Sequence, residues 1–274
     1  MDYLKTLFKL ENKVAVITGG SGILGGEMAK GLLSAGAKVI LLARNEEKLQ
    51  EKVEIHRKTH KEVIGLKCNV LDEKNVKRVN EQIVDKYKRI DILINAAGGH
   101  VPKAVIGVDQ NVFHLKFKYF KEVTDVNLNG TVLPTLIFGK TMANQKNGSI
   151  INISSMAAQR AISRAVGYSA AKAAVENFTR WMAVETVQKF GSGIRVNAIA
   201  PGFFVADQNR AILTNEDGSL TDRGKTIINM TPFKRFGTPD ELVGTVLWLA
   251  SDASKFVTGI IVPVDGGFSA FSGV

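Results

Sequence analysis

The chain has 274 residues, 45% of them hydrophobic and 23% charged, with a formal net charge of +10. That length predicts one α/β domain spanning residues 1–274, whose core needs neither disulfide nor metal, and the single Cys68 excludes an internal disulfide and any multi-cysteine metal site. The positive surplus raises nucleic acid as a partner, but the lysines are interleaved with glutamates, as in Glu46-Glu47-Lys48, and no basic run carries aromatics.

No apolar stretch reaches the length of a membrane span, and the N-terminal residues carry no signal-peptide pattern. The expectation is therefore a cytoplasmic protein with neither membrane nor nucleic acid as partner. Leu4, Leu7 and Phe8 predict a short amphipathic arm, residues 1–12, packed on the domain. Apolar runs follow at 14–18, 38–43, 63–68, 90–95, 149–154, 195–199 and 260–264, with helical periodicity between them, as at 27–34, 46–57 and 75–87. Seven such runs predict a single doubly wound parallel sheet, Rossmann-like, with helices on both faces.

After the first run comes Thr18-Gly19-Gly20-Ser21-Gly22-Ile23-Leu24-Gly25-Gly26, opening a helix. Glycines there let the backbone approach a pyrophosphate, and the helix N-terminus supplies free N–H donors. The second run ends Leu41-Leu42-Ala43-Arg44-Asn45. It lacks the carboxylate that would hold a ribose 2′-hydroxyl, and Arg44 is placed for a 2′-phosphate, so NADP(H) is favoured and NAD(H) stands second. Two long connections, 99–118 and 203–230, follow strand C-terminal ends, where open α/β sheets bind ligands, and are the expected substrate walls. They offer His100 and Lys103 on one side and Gln208, Asn209 and Arg210 on the other. In the second group Arg210 would pair with a carboxylate and its neighbours would bond hydroxyls.

Between these connections lie Ser155, at the end of the fifth run, and Tyr168 and Lys172, four residues apart on one helix face. A phenol titrates near pH ~10. A fixed ammonium nearby favours its ionised form, and a phenol tuned in this way exchanges a proton with a carbonyl or alcohol oxygen.

Taken together these motifs resemble the short-chain dehydrogenase/reductase family along nearly the whole chain. The glycine motif is 18–25, the Asn-Ala-Ala-Gly motif is Asn95-Ala96-Ala97-Gly98, and the helix asparagine is Asn127. Ser155 stands thirteen positions before Tyr168, Pro201-Gly202 follows the sixth run, and Asp265-Gly266-Gly267 lies near the C-terminus. The resemblance implies Tyr168 as general acid or base, Lys172 as the group that holds the nicotinamide ribose and lowers the phenol pKa, Ser155 as polariser of the carbonyl, and Asn127 in a proton relay through water. It implies a cofactor site built from Gly19, Ser21, Gly22, Ile23, Leu24, Gly25, Arg44, Asn69, Val70, Asn95, Ala96, Gly98, Tyr168, Lys172, Pro201 and Gly202, without metal. It also implies a homotetramer packed through helices at 168–190 and 240–250, with 245–249 as an apolar patch.

Two departures stand out. Ile23 replaces the middle glycine, and Phe203-Phe204-Val205-Ala206 lacks the threonine that usually follows Pro-Gly. These features and the ending after Asp265 are similar to the branch labelled D-mannonate oxidoreductase or fructuronate reductase. That implies a sugar-acid substrate, with gluconate, another polyol or a 3-oxoacyl group as alternatives. A non-catalytic NADP-sensing protein is the alternative of another class; retention of Ser155, Tyr168 and Lys172 argues against it.

Overall fold

Strands covered on both faces must be apolar at every position, and that is what the runs become. The computed structural model describes residues 3–206 and 209–273. The strands are β1 (Val14–Thr18), β2 (Lys38–Ala43), β3 (Val63–Lys67), β4 (Ile92–Asn95), β5 (Gly148–Ile153), β6 (Ile194–Pro201) and β7 (Ile261–Val264). The helices are α1 (Tyr3–Leu7), α2 (Ile23–Ser34), α3 (Glu46–Arg57), α4 (Glu73–Tyr87), α5 (Phe117–Thr124), α6 (Gly130–Gln145), α7 (Val166–Phe190), α8 (Arg210–Leu213), α9 (Asp222–Met230) and α10 (Val243–Ala250). All seven strands pair in parallel in the order β3-β2-β1-β4-β5-β6-β7. The order reverses between β1 and β4, which opens a crevice above their C-terminal ends.

Successive side chains of a strand point to opposite faces. Ala15 and Ile17 join Val39 and Leu41 in one core layer, with Met28 and Leu32 of α2 and Val246 and Leu249 of α10. Val14 and Val16 join Ile40 and Leu42 in the other, with Val79 of α4, Phe138 of α6 and Met182 of α7. Helix ends carry the expected caps: Asn45 accepts from Lys48 N at the start of α3 and Asp72 from Asn75 N at the start of α4.

Four details depart from the sequence reading. Ile90 stays outside β4, because the Gln145 side chain takes both its N–H (2.9 Å) and its C=O (2.8 Å). In the N-terminal arm Leu4 and Phe8 are exposed, and the anchor is the fully buried Leu10. The connection 203–230 is not an open loop but holds α8 and α9, tied by the Thr221 hydroxyl to Ile212 O at 2.7 Å. The expected patch at 245–249 mostly faces inward, with Val246 and Leu249 at 1% and 0% exposure in the layer under α2.

Candidate active site

The site grows from the carboxyl ends of β1, β4, β5 and β6. Above β1 the chain turns at Gly19, whose φ of +69° favours glycine. The turn closes with Gly22 N donating to Gly19 O at 3.0 Å. A side chain at Gly25 would bring its Cβ within 2.5 Å of Gly19 O, and one at Gly19 would meet Ala96 O at 2.7 Å. Gly22 is the N-cap of α2 and offers no side chain to the first helical amides, leaving them for an anion. Ile23 is simply the first helical residue, so the turn forms without the usual middle glycine.

This cradle opens into a cleft of about 710 Å³. Of the expected cofactor residues, Gly19, Ser21, Gly22, Ile23, Leu24, Gly25, Arg44, Val70, Ala96 and Gly98 line it. Pro201 and Gly202 line the neighbouring pocket instead. Asn69 is exposed and its carboxamide oxygen accepts from Leu71 N. Asn95 is corrected to an interior role: it is 1% exposed, and its amide donates to Thr135 and Asn152, both at 2.8 Å, tying β4 to α6 and β5. A size and glycine pattern of this kind fit a dinucleotide, with Arg44 at the β2 end.

The neighbouring pocket, about 150 Å³, shares Leu24 and Ala206 with the cleft. Tyr168 and Ser155 line it, and Ser155 lies close enough to the phenol to act on its pKa. Ser155 caps a short 3₁₀ turn, Met156–Ala158, which fixes its side chain. Lys172 lies 5.7 Å above the Tyr168 ring and donates to Ile153 O at 2.7 Å. Burial lowers the Lys172 ammonium to about 8. The expected lowering of the phenol is offset: burial pushes Tyr168 above its ordinary value, and the neighbouring Ser155 pulls the other way.

Asn127 sits in a single π-helical turn, Asp125–Asn129, between α5 and α6. Such turns reorient a side chain without breaking the helix. Its carboxamide accepts from Gly99 N (2.9 Å) and donates to Gly99 O and Val123 O (both 2.8 Å). It therefore fixes Gly98–Gly99, beside which Lys172 Nζ stands, 3.5 Å from where a Gly98 Cβ would be.

The expected substrate residues divide. His100 lines the pocket, its ring 4.4 Å from that of Tyr168, and burial first, then Arg223 and Lys172, lower its pKa. Asn209 lines it too, but its carboxamide is committed to Ala206 N and Phe204 O. Arg210 is exposed on α8 and Lys103 is exposed with its ammonium over Tyr119, so neither lines the pocket. Gln208 lies outside the described residues. Sequence reasoning missed two pocket cations, Arg164 and Arg223. Arg164 has φ +73°, a left-handed conformation costing a non-glycine residue roughly 1–2 kcal/mol. Only its place in the segment between Ser155 and Tyr168 could have drawn notice.

The family model described as enoyl-(acyl carrier protein) reductase matches residues 20–269. The chain is 44% identical over 274 residues to an uncharacterised oxidoreductase, UxuB, of Bacillus subtilis (strain 168), covering 97% of this chain and 98% of that one. This chain belongs to the short-chain dehydrogenase/reductase family. Among solved structures, this dehydrogenase/reductase superposes with a TM-score of 0.89 on a Haemophilus influenza protein provisionally named D-mannonate oxidoreductase, crystallised with bound NAD. The two are 42% identical, with 97% of this chain and 98% of that one covered. It is also 34% identical to the 2-dehydro-3-deoxy-D-gluconate 5-dehydrogenase of Formosa agariphila, covering 97% and 96% of the two chains. It is thus an NAD(P)-dependent oxidoreductase acting on CH–OH groups. Among the described residues no helix is long and apolar enough to cross a membrane, and no cluster of acidic, His and Cys side chains fits a metal.

Proposed function

We propose that this enzyme interconverts a sugar-acid ketone and its alcohol, D-fructuronate and D-mannonate, with Tyr168 moving the proton. The observation that carries the reading is Tyr168 beside Ser155 in a pocket that adjoins the glycine-loop cleft. The glycine loop Gly19–Gly25 and Arg44 would hold a nicotinamide cofactor in that cleft, and the cofactor would supply or remove the hydride at the reacting carbon. In reduction the phenol gives its proton to the oxygen that becomes the alcohol, and Ser155 donates a hydrogen bond to the same oxygen. The raised phenol pKa suits the donor role, and Lys172, charged below about pH 8, stabilises the phenolate left behind. Asn127 acts by holding the backbone at Gly98–Gly99 against Lys172. The segments 99–118 and 203–230 serve as substrate walls within one catalytic domain, and we assign the enzyme to the cytoplasm.

The sugar acid is supported by the name of the NAD-bound relative and by the sugar-acid substrate in the name of the Formosa enzyme. The apolar wall formed by Val105, Ile162, Phe203, Ile212 and Leu213 favours a second reading, a 3-oxoacyl substrate. An initial-rate screen of hexuronates, ketoses, polyols and a 3-oxoacyl thioester, each with NADPH and NADH, separates them. Turnover of the thioester with no hexuronate activity would refute the first reading.

Arg44, exposed at the lip of the cleft, supports a preference for NADP. Ala43→Asp combined with Arg44→Ser removes the partner of a 2′-phosphate and places a carboxylate at the ribose. The expected result is a shift of roughly tenfold or more toward NAD in the ratio of kcat/KM values. An unchanged ratio would show that Arg44 does not read the phosphate.

A further inference from the structure

We infer that Arg164 and Arg223 together form the subsite that binds the substrate's carboxylate, in place of Arg210. The inference deepens the sugar-acid reading and rests on it for the identity of the acid, though not for the site itself. Three segments far apart in sequence converge there. Arg164 belongs to the turn before α7 and Arg223 is the second residue of α9. The connection after β4 reaches them through Ile106, which receives the Arg164 Nε hydrogen bond at 2.6 Å and donates its own N–H to Arg164 O at 3.0 Å. Arg223 is steadied by Ser163, donating to its hydroxyl at 3.1 Å and its carbonyl at 3.2 Å.

Each arginine is thus fixed by neutral acceptors that leave donors over: five N–H groups are available per guanidinium, and these bonds use one of Arg164 and two of Arg223. No ion pair among the described residues involves either. Both are half-buried and both line the pocket that holds Tyr168 and Ser155. Two like charges brought together in an apolar pocket repel, and the repulsion is visible on Arg223, which burial and then Arg164 make a weaker base. A carboxylate entering between them relieves that repulsion and accepts planar, paired hydrogen bonds, which guanidinium supplies better than ammonium. The left-handed backbone at Arg164 fits the same account, since strained residues persist where the surroundings hold them for a purpose. Arg223 also acts on His100, which lies against the Tyr168 ring, so the subsite adjoins the reacting end of the pocket.

The test compares D-fructuronate with D-fructose, which has CH₂OH where the acid has its carboxylate. Arg223→Gln and Arg164→Asn should lower kcat/KM for the acid by about 10- to 100-fold and leave that for the neutral ketose within about threefold. Asn is chosen because it tolerates the left-handed backbone, and retained fructose turnover reports a folded enzyme. Arg223→Lys should recover part of the loss. Equal losses on both substrates would overturn the inference and leave the fructuronate reading standing. If the wild type reduces no hexuronate, competitive inhibition by D-gluconate against its best carbonyl substrate takes over. Inhibition in the wild type that is lost in both variants sustains the subsite while the fructuronate reading falls; absence of inhibition overturns the subsite.

Discussion

Lys172 brings a positive charge into an interior position, 4% exposed, where Ile153 O receives one of its protons. Burial lowers its pKa to about 8 from 10.5, so between those values the unfolded chain binds a proton that the folded enzyme does not. Stability rises with pH wherever the unfolded state binds more protons. The cofactor-free enzyme should therefore gain stability from Lys172 as pH climbs above about 8, with a slope approaching about 1.4 kcal/mol per pH unit. Denaturant unfolding of wild type and Lys172→Met from about pH 7.5 to about pH 9.5 isolates this contribution. The wild type should close on, or overtake, the variant across that window, and parallel pH curves would contradict the lowered pKa. Above about pH 10 the raised Tyr168 pKa works in the opposite sense, because the unfolded phenol ionises first.

Two glycines of α2 separate what the helix does for the ligand from what it does for the core. Gly25 faces the loop, where a Cβ would strike Gly19 O at 2.5 Å; Gly31 faces α10, where a Cβ would strike Val243. Gly25→Ala should displace the loop backbone and weaken cofactor binding by about tenfold or more, an effect of the close approach a pyrophosphate needs. Gly31→Ala overpacks the α2–α10 contact and should destabilise by about 1–3 kcal/mol, while cofactor affinity changes by less than about threefold. Calorimetric titration with the nicotinamide nucleotide, beside thermal unfolding of each variant, checks both. An equal loss of affinity in the two would mean that α2 moves as a body. The sequence marked the glycine loop as a ligand loop from its position between β1 and α2, but it gave no sign that Gly31 is a packing residue. That contact belongs to α10, more than two hundred positions away.

At the scale of the molecule, α7 carries the apolar surface that its own sheet leaves uncovered. Trp181, Val184 and Val187 stand three residues apart on one side of α7 and are 60%, 58% and 38% exposed, an apolar surface of the kind that marks a protein–protein face. The expected homotetramer would bury it, so Trp181→Glu should shift the species seen by sedimentation toward smaller assemblies; an unchanged mass would move the interface elsewhere. Seven apolar runs and a glycine loop between strand and helix determined the sheet and its crevice from sequence alone, and the order Ser155, Tyr168, Lys172 marked the candidate acid–base pair. These signals are local: strand period, turn chemistry and helical spacing need no knowledge of distant residues. Which side chains share a pocket is not local. Asn95 turned inward to Thr135 and Asn152, Arg210 stayed in solvent, and Arg164 and Arg223 met across a gap of 59 positions. Only the packing of α9 against the turn before α7, through Ser163, decided that meeting.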